Sequence, residues 1–193
     1  MNTFFNSPQI DPFINECKKL AATIISRQLK TNFDITSNLE IDVCNKVLKN
    51  NMSFIMIVST HGNLLFKVMY SKREIEDHLK QTMAANAEPS GFSVDDLMKE
   101  YCNLFAGSLK TQMELFFGDN LGLSFPIKLS GIDELYFPLN KLNTYYNLWQ
   151  IGNNNFNIIC AIELEVPKIS TIENFNRLNF ATDNINETKI ELF

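Results

Sequence analysis

The stretch MSFIMIVSTHGNLLFKVMY, residues 52–70, constrains the fold more than any other. Two apolar runs flank His61-Gly62-Asn63. Such runs on either side of a short glycine-containing turn predict an antiparallel hairpin. Before it, SPQIDPF holds two cap-then-proline signals, Ser7-Pro8 and Asp11-Pro12. Ile10, Phe13, Ile14, Cys17, Leu20, Ala21, Ile24 and Ile25 then recur at helical spacing, one buried face of a first helix. NFDITSNLEIDVC reads as a strand. After the hairpin, Ser71 with Glu74 forms a capping box for a short helix over SKREIEDHLKQTM. AANAEPSGF reads as a loop. A second long helix is predicted from Ser93, with Asp96 as its reciprocal capping partner, to about Phe117, where FGDNLG stops it. LSFPIKLSG, TYYNLWQI and FNIICAIELEV read as strands, with GNNN as the turn between the last two.

These elements predict an α+β fold, an antiparallel sheet with long helices packed on one face. The domain is expected to span residues 1–166. Residues 167–193 are an Asn-rich C-terminal extension that reads equally as a short helix or an edge strand.

Charge and cysteine usage narrow the function. The formal net charge of −5 argues against a nucleic-acid partner, which is bound by neutralising phosphates with Lys and Arg. Cys17, Cys44, Cys102 and Cys160 are far apart, each among apolar residues, which suits buried free thiols better than a zinc site. The N-terminus lacks the pattern of a secretory signal, and no stretch is long and apolar enough to span a membrane. A soluble cytoplasmic protein is expected. His61, in a turn, and His78, on a charged helix, read as solvated surface. Met52, Met56 and Met69 read as core or sheet filler. Trp149 and Tyr145-Tyr146 fit either core or an exposed patch.

On a wheel at about 100° per residue, Val94, Leu97, Met98, Tyr101, Leu104, Phe105 and Leu109 share one side of the second long helix, joined by Leu115 and Phe116. Glu100, Asn103 and Gly107 fall together on the opposite side, within about 60° of arc. Polar residues on an outer face need no special explanation. E-x-x-N also occurs a second time, at Glu173 and Asn176, where Phe180 stands in place of the glycine. Gly107 carries more weight, because glycine inside a helix costs roughly 1 kcal/mol relative to alanine. A common return for that cost is close approach of another backbone or a partner surface.

EYCNLFAGSLKTQMELF resembles the signature helix of the CheC/CheX/FliY chemotaxis phosphatases, E-x-x-N-x-x-A-G, with Leu109 also in place. LSFPIKLSG resembles the following strand, with Pro126 and Gly131. GNLLFKVMYS resembles the second arm of the family's hairpin and FSVDDLMKE its lead-in to the helix. The similarity is closest to CheX and covers residues 10–166. It implies a phosphatase that removes the phosphoryl group from the aspartate of a CheY-like response regulator. Glu100 and Asn103 would be the catalytic pair, Asn103 holding the attacking water and Glu100 meeting the partner's active-site lysine, with Gly107, Lys99 and Lys110 at the partner's approach. It also implies Mg²⁺ held by the response regulator rather than by this chain, and a homodimer paired through sheet edges. Tyr101-Cys102 departs from the smaller pair usual inside the motif and is expected on the helix flank. The first helix carries Glu16 but Lys19 where a second motif would need asparagine, so one site per chain is expected. The alternatives are a non-catalytic regulator-binding module and a flagellar-switch component of the same fold.

Overall fold

The computed structural model describes residues 3–5, 7–38, 51–82, 93–130, 143–153 and 156–178. The chain opens with β1 (Thr3–Phe5), a 3-10 turn at Pro8–Ile10, and α1 (Asp11–Leu29). Then come β2 (Asp34–Asn38), β3 (Asn51–Val58), β4 (Asn63–Tyr70), α2 (Lys72–Thr82) and α3 (Val94–Phe117). β5 (Gly122–Leu123), β6 (Ile127–Ser130), β7 (Thr144–Gly152) and β8 (Asn157–Glu165) follow. A second 3-10 turn at Ile169–Thr171 leads into α4 (Ile172–Asn176). The expected strand residues 39–44, the loop 84–92, Cys44, Gly131 and the tail from 179 lie outside the described residues.

β3 and β4 form the expected hairpin, in register from Asn51 opposite Tyr70 to Val58 opposite Asn63. Ser59 closes its turn: its hydroxyl donates to the Gly62 carbonyl and accepts from the His61 and Gly62 amides. Gly62 is required by crowding, since a Cβ there would sit 2.7 Å from the Glu165 carbonyl oxygen. β8 pairs antiparallel with both β4 and β7, which makes it central. The two sheet edges are each shared by two short strands: β1 and β2 lie along β7, and β5 and β6 along β3. The sheet is antiparallel apart from β1, which runs parallel to β7. The segment read as one strand at 123–131 is two. It breaks at Ser124–Pro126, where the Ser124 hydroxyl accepts from the Met56 amide and proline has no N–H for the ladder.

Alternation along the strands separates two faces. α1 and α3 cover one. Phe66 stacks on Phe105 with ring centroids 3.8 Å apart and meets Tyr101 edge-on. The Tyr101 hydroxyl donates to the Ala21 carbonyl of α1. Tyr101 and Cys102 are therefore wholly buried rather than on the helix flank, because α1 and the sheet close over that side together. Trp149, Tyr145 and Tyr146 are core. On the opposite face Met52, Met69, Leu148, Ile159 and Ala161 form a smaller buried cluster, while Met56 is exposed. Lys67 and Glu163 make a buried ion pair on that face, at 3.2 Å.

Residues beyond 166 contribute to the main core. The open choice between helix and edge strand resolves, over Ile172–Asn176, as a helix. Phe175 is fully buried against Phe13 and Phe117, and Ile172 and Leu178 are buried beside it.

Two expectations are corrected by packing. His78 is 1% exposed, set between Phe33 and Phe156, and burial lowers its pKa and favours the neutral ring. Leu115 and Phe116 are 76% and 44% exposed although the wheel points them inward. A wheel gives direction around an axis, not whether a neighbour stands there. Past Met113, it is Phe117 that packs, on His61 and Phe175. Burial holds the thiols of Cys17 and Cys102 well above their ordinary pKa and raises Cys160 to about 12, so all three stay protonated. Among the described residues, no helix is long and apolar enough to cross a membrane.

Candidate functional site on the outer face of the long helix

α3 starts where its caps dictate. Ser93 is the N-cap and its hydroxyl accepts from the Asp95 amide at 3.2 Å. Asp96, the expected capping partner, has its carboxylate on Lys99 at 3.3 Å. The helix ends at Gly118, in the left-handed conformation (φ 73°), whose amide donates to the Glu114 carbonyl.

Between these ends the predicted face is assembled. Glu100 is exposed and Asn103, one turn on, is half-buried. The Asn103 amide nitrogen donates to the Glu100 carboxylate at 3.4 Å. A carboxylate only accepts, so this long contact favours the amide orientation that turns the carbonyl oxygen away from Glu100. A Cβ built on Gly107, one further turn along, would meet nothing within 4 Å among the described residues. Packing among the described residues therefore does not ask for glycine there. The structure brings Glu100, Asn103 and Gly107 onto one open face.

The two lysines expected at the partner's approach are engaged within their own helix. Lys99 pairs with Asp96, and Lys110 pairs with Glu114 at 2.9 Å. Glu114 also accepts the Leu121 amide, and that bond, then the one from Lys110, lowers its pKa. The other E-x-x-N is built differently. Glu173 is exposed, but Asn176 donates to the Gln9 carbonyl at 2.6 Å and so ties α4 to the first 3-10 turn. On α1, Lys19 pairs with Glu16 at 2.6 Å.

Two clusters near this helix escaped the sequence reading. The first centres on Asp95. One carboxylate oxygen accepts from the Tyr70 hydroxyl at 3.0 Å; the other accepts from Lys72 at 2.6 Å and from Lys128. Tyr70 in turn meets the Ser53 hydroxyl at 3.4 Å. Partial burial pushes the Asp95 pKa up, but the bonds from Lys128, Lys72 and Tyr70 outweigh it and hold the carboxyl below its ordinary value. The carboxylate is thus ionised at neutral pH. Nothing local distinguishes Asp95 from Asp96, and its partners lie far away in sequence. The second cluster corrects the reading of His61 as plain solvated surface. It is half-buried, stacked on Phe117 at 4.2 Å, with Nε2 3.0 Å from an Asp119 oxygen that also accepts from Thr60. Among the described residues, no group of three or more His, Cys, Asp or Glu side chains could hold a metal ion.

By sequence, neither a family model nor a curated protein matches the chain. By structure it has the fold of CheX, CheC-like and FliY proteins. It is similar to the chemotaxis protein CheX of Vibrio vulnificus, with TM-score 0.59 and 13% identity over 82% of this chain and 100% of that one. It is similar to a chain of the CheX–CheY–BeF3–Mg²⁺ complex of Borrelia burgdorferi, with TM-score 0.52 and 11% identity over 81% and 97%. FliY of Thermotoga maritima matches with TM-score 0.52 and 15% identity over 90% of this chain and 98% of that one. At these identities the likeness is one of fold.

Proposed function

We propose that this chain is a CheX-like phosphatase acting on the aspartyl phosphate of a CheY-like response regulator. One observation carries the reading: a carboxamide oriented by a neighbouring carboxylate, beside an unfilled glycine, on the open face of the long helix. Hydrolysis of an acyl phosphate passes through a loose transition state, so positioning counts for more than strong base catalysis. The Asn103 carbonyl oxygen accepts from a water and holds it in line with the phosphorus. Water's oxygen bonds to phosphorus as the bond to the aspartyl oxygen breaks, leaving the carboxylate and inorganic phosphate. A carboxylate in Asn103's place would repel the phosphoryl oxygens. Glu100 meets a cationic side chain of the regulator, a charge-assisted contact that fixes register. Gly107 leaves room for the regulator's backbone. Mg²⁺ belongs to the regulator.

The test is phosphate release from a phosphorylated CheY-like domain. Wild-type protein should accelerate it, and Asn103→Ala should abolish the acceleration while remaining folded. Wild-type turnover in the variant would remove the mechanism. No acceleration by the wild type would favour the other reading, a regulator-binding or flagellar-switch module of the same fold.

The homodimer belongs to the same proposal. Val58, Ile127 and Leu129 are exposed apolar side chains on β3 and β6, surface that a second copy would cover. Light scattering that returned the monomer mass at every concentration would exclude it.

A further inference from the structure

The outer face of α3 can present a water correctly only if the helix sits in one place. Its inner face is held by apolar packing, which is non-directional and tolerates small slides and rotations. Directional bonds resist such motion. Among the described residues, α3 makes them to other segments through Tyr101 to Ala21 and Cys160, Glu114 to Leu121, and the Asp95 cluster. The Asp95 cluster is the charged one: it bonds side chain to side chain with the sheet at the first turn of α3, and its neutral counterpart among the described residues is the 3.6 Å contact of the Tyr101 hydroxyl with the Cys160 thiol. Its donors come from three segments: Tyr70 ends β4, Lys72 starts α2, and Lys128 lies on the edge strand β6. The Asp95 side chain is only 14% exposed, so water competes poorly for these bonds. Two ammoniums on one carboxylate oxygen, with a phenol on the other, leave the group little freedom to swing.

We propose that Asp95 is a positioning residue for the Glu100–Asn103 face, setting through Lys128, Lys72 and Tyr70 where α3 sits against the sheet. The inference rests on the phosphatase reading above. Asn103 lies eight residues beyond Asp95, about 12 Å along a rigid helix, so a slide or rotation at the first turn is carried to the carboxamide. Asn103 has a short side chain and cannot compensate. Glu100 is long enough to keep its contact with a partner. Releasing Asp95 should therefore damage turnover more than docking.

The experiment starts with wild-type protein and a phosphorylated CheY-like receiver domain; failure to accelerate phosphate release there removes the parent reading. Given an active wild type, Asp95→Asn should lower kcat by about tenfold or more, since misplacements near 1 Å are that damaging. KM should stay within about threefold of wild type. Lys128→Met should likewise lower kcat with KM within about threefold of wild type, and serves if Asp95→Asn does not fold. Amide hydrogen exchange, read without any partner, should quicken by about tenfold over residues 98–106 in both variants. An unchanged kcat per folded molecule overturns the proposal. So does a loss that merely tracks the unfolded fraction by circular dichroism, or a KM that rises as much as kcat falls. If the wild type is inactive, the catalytic role falls with the reading, and unchanged exchange would remove the clamp as well.

Discussion

On α3 the amide nitrogen of Asn103 donates to Glu100 at 3.4 Å; on α4 the amide nitrogen of Asn176, in the same E-x-x-N spacing, donates to the Gln9 carbonyl at 2.6 Å. The first asparagine bonds within its own motif, on the outer face of its helix. The second commits its donor to a distant backbone and serves as a strut. The neighbouring residues differ in the same sense. Gly107 has no described residue against it, whereas the residue before Asn176 is Phe175, buried against Phe13 and Phe117. Spacing places two side chains on one helix face. Whether that face is a site depends on what the rest of the molecule puts against it.

This contrast can be broken experimentally. The largest expected effect is the all-or-none loss of stimulated phosphate release in Asn103→Ala, set beside Asn176→Ala, which should retain wild-type turnover. Equal losses in the two variants, measured per folded molecule, would end the distinction. Gly107→Ala comes next. It should weaken binding of the regulator roughly tenfold, as filling the centre of a contact surface does. The same change should raise Tm, because alanine is favoured over glycine in a helix by about 1 kcal/mol and no described residue opposes a Cβ there. A fall in Tm with unchanged affinity would assign Gly107 to folding instead. The smallest effect is on stability in Asn176→Ala. Losing one bond to a backbone carbonyl should cost about 0.5–1.5 kcal/mol, or a few degrees of Tm. Thermal melts of this variant with no shift would show that the strut carries nothing.

Much of the local architecture is legible in the sequence. Ser93 and Gly118 bound α3 because caps depend on one residue and its immediate amides. The hairpin follows from two apolar runs and a turn closed by bonds from Ser59 to His61 and Gly62. The outward direction of Glu100, Asn103 and Gly107 follows from helical geometry alone. The misses share a cause of another kind. His78 sits in a charged segment but lies beside Phe33 and Phe156, both far from it in the chain. Tyr101 is covered by α1, and β1 adds to β7 in parallel from the other end of the chain. Asp95 and Asp96 are adjacent and chemically identical, yet one is gripped by two lysines and a tyrosine while the other lies on the surface.

The sequence by itself therefore determined the elements and the constellation that faces outward on α3, since both arise from interactions spanning a few residues. The tertiary structure decided which of two identical E-x-x-N spacings stays open, which acidic residue anchors the helix and which aromatic side chains seal its end. Those outcomes depend on contacts between segments far apart in the chain, and local periodicity carries no information about what will stand opposite.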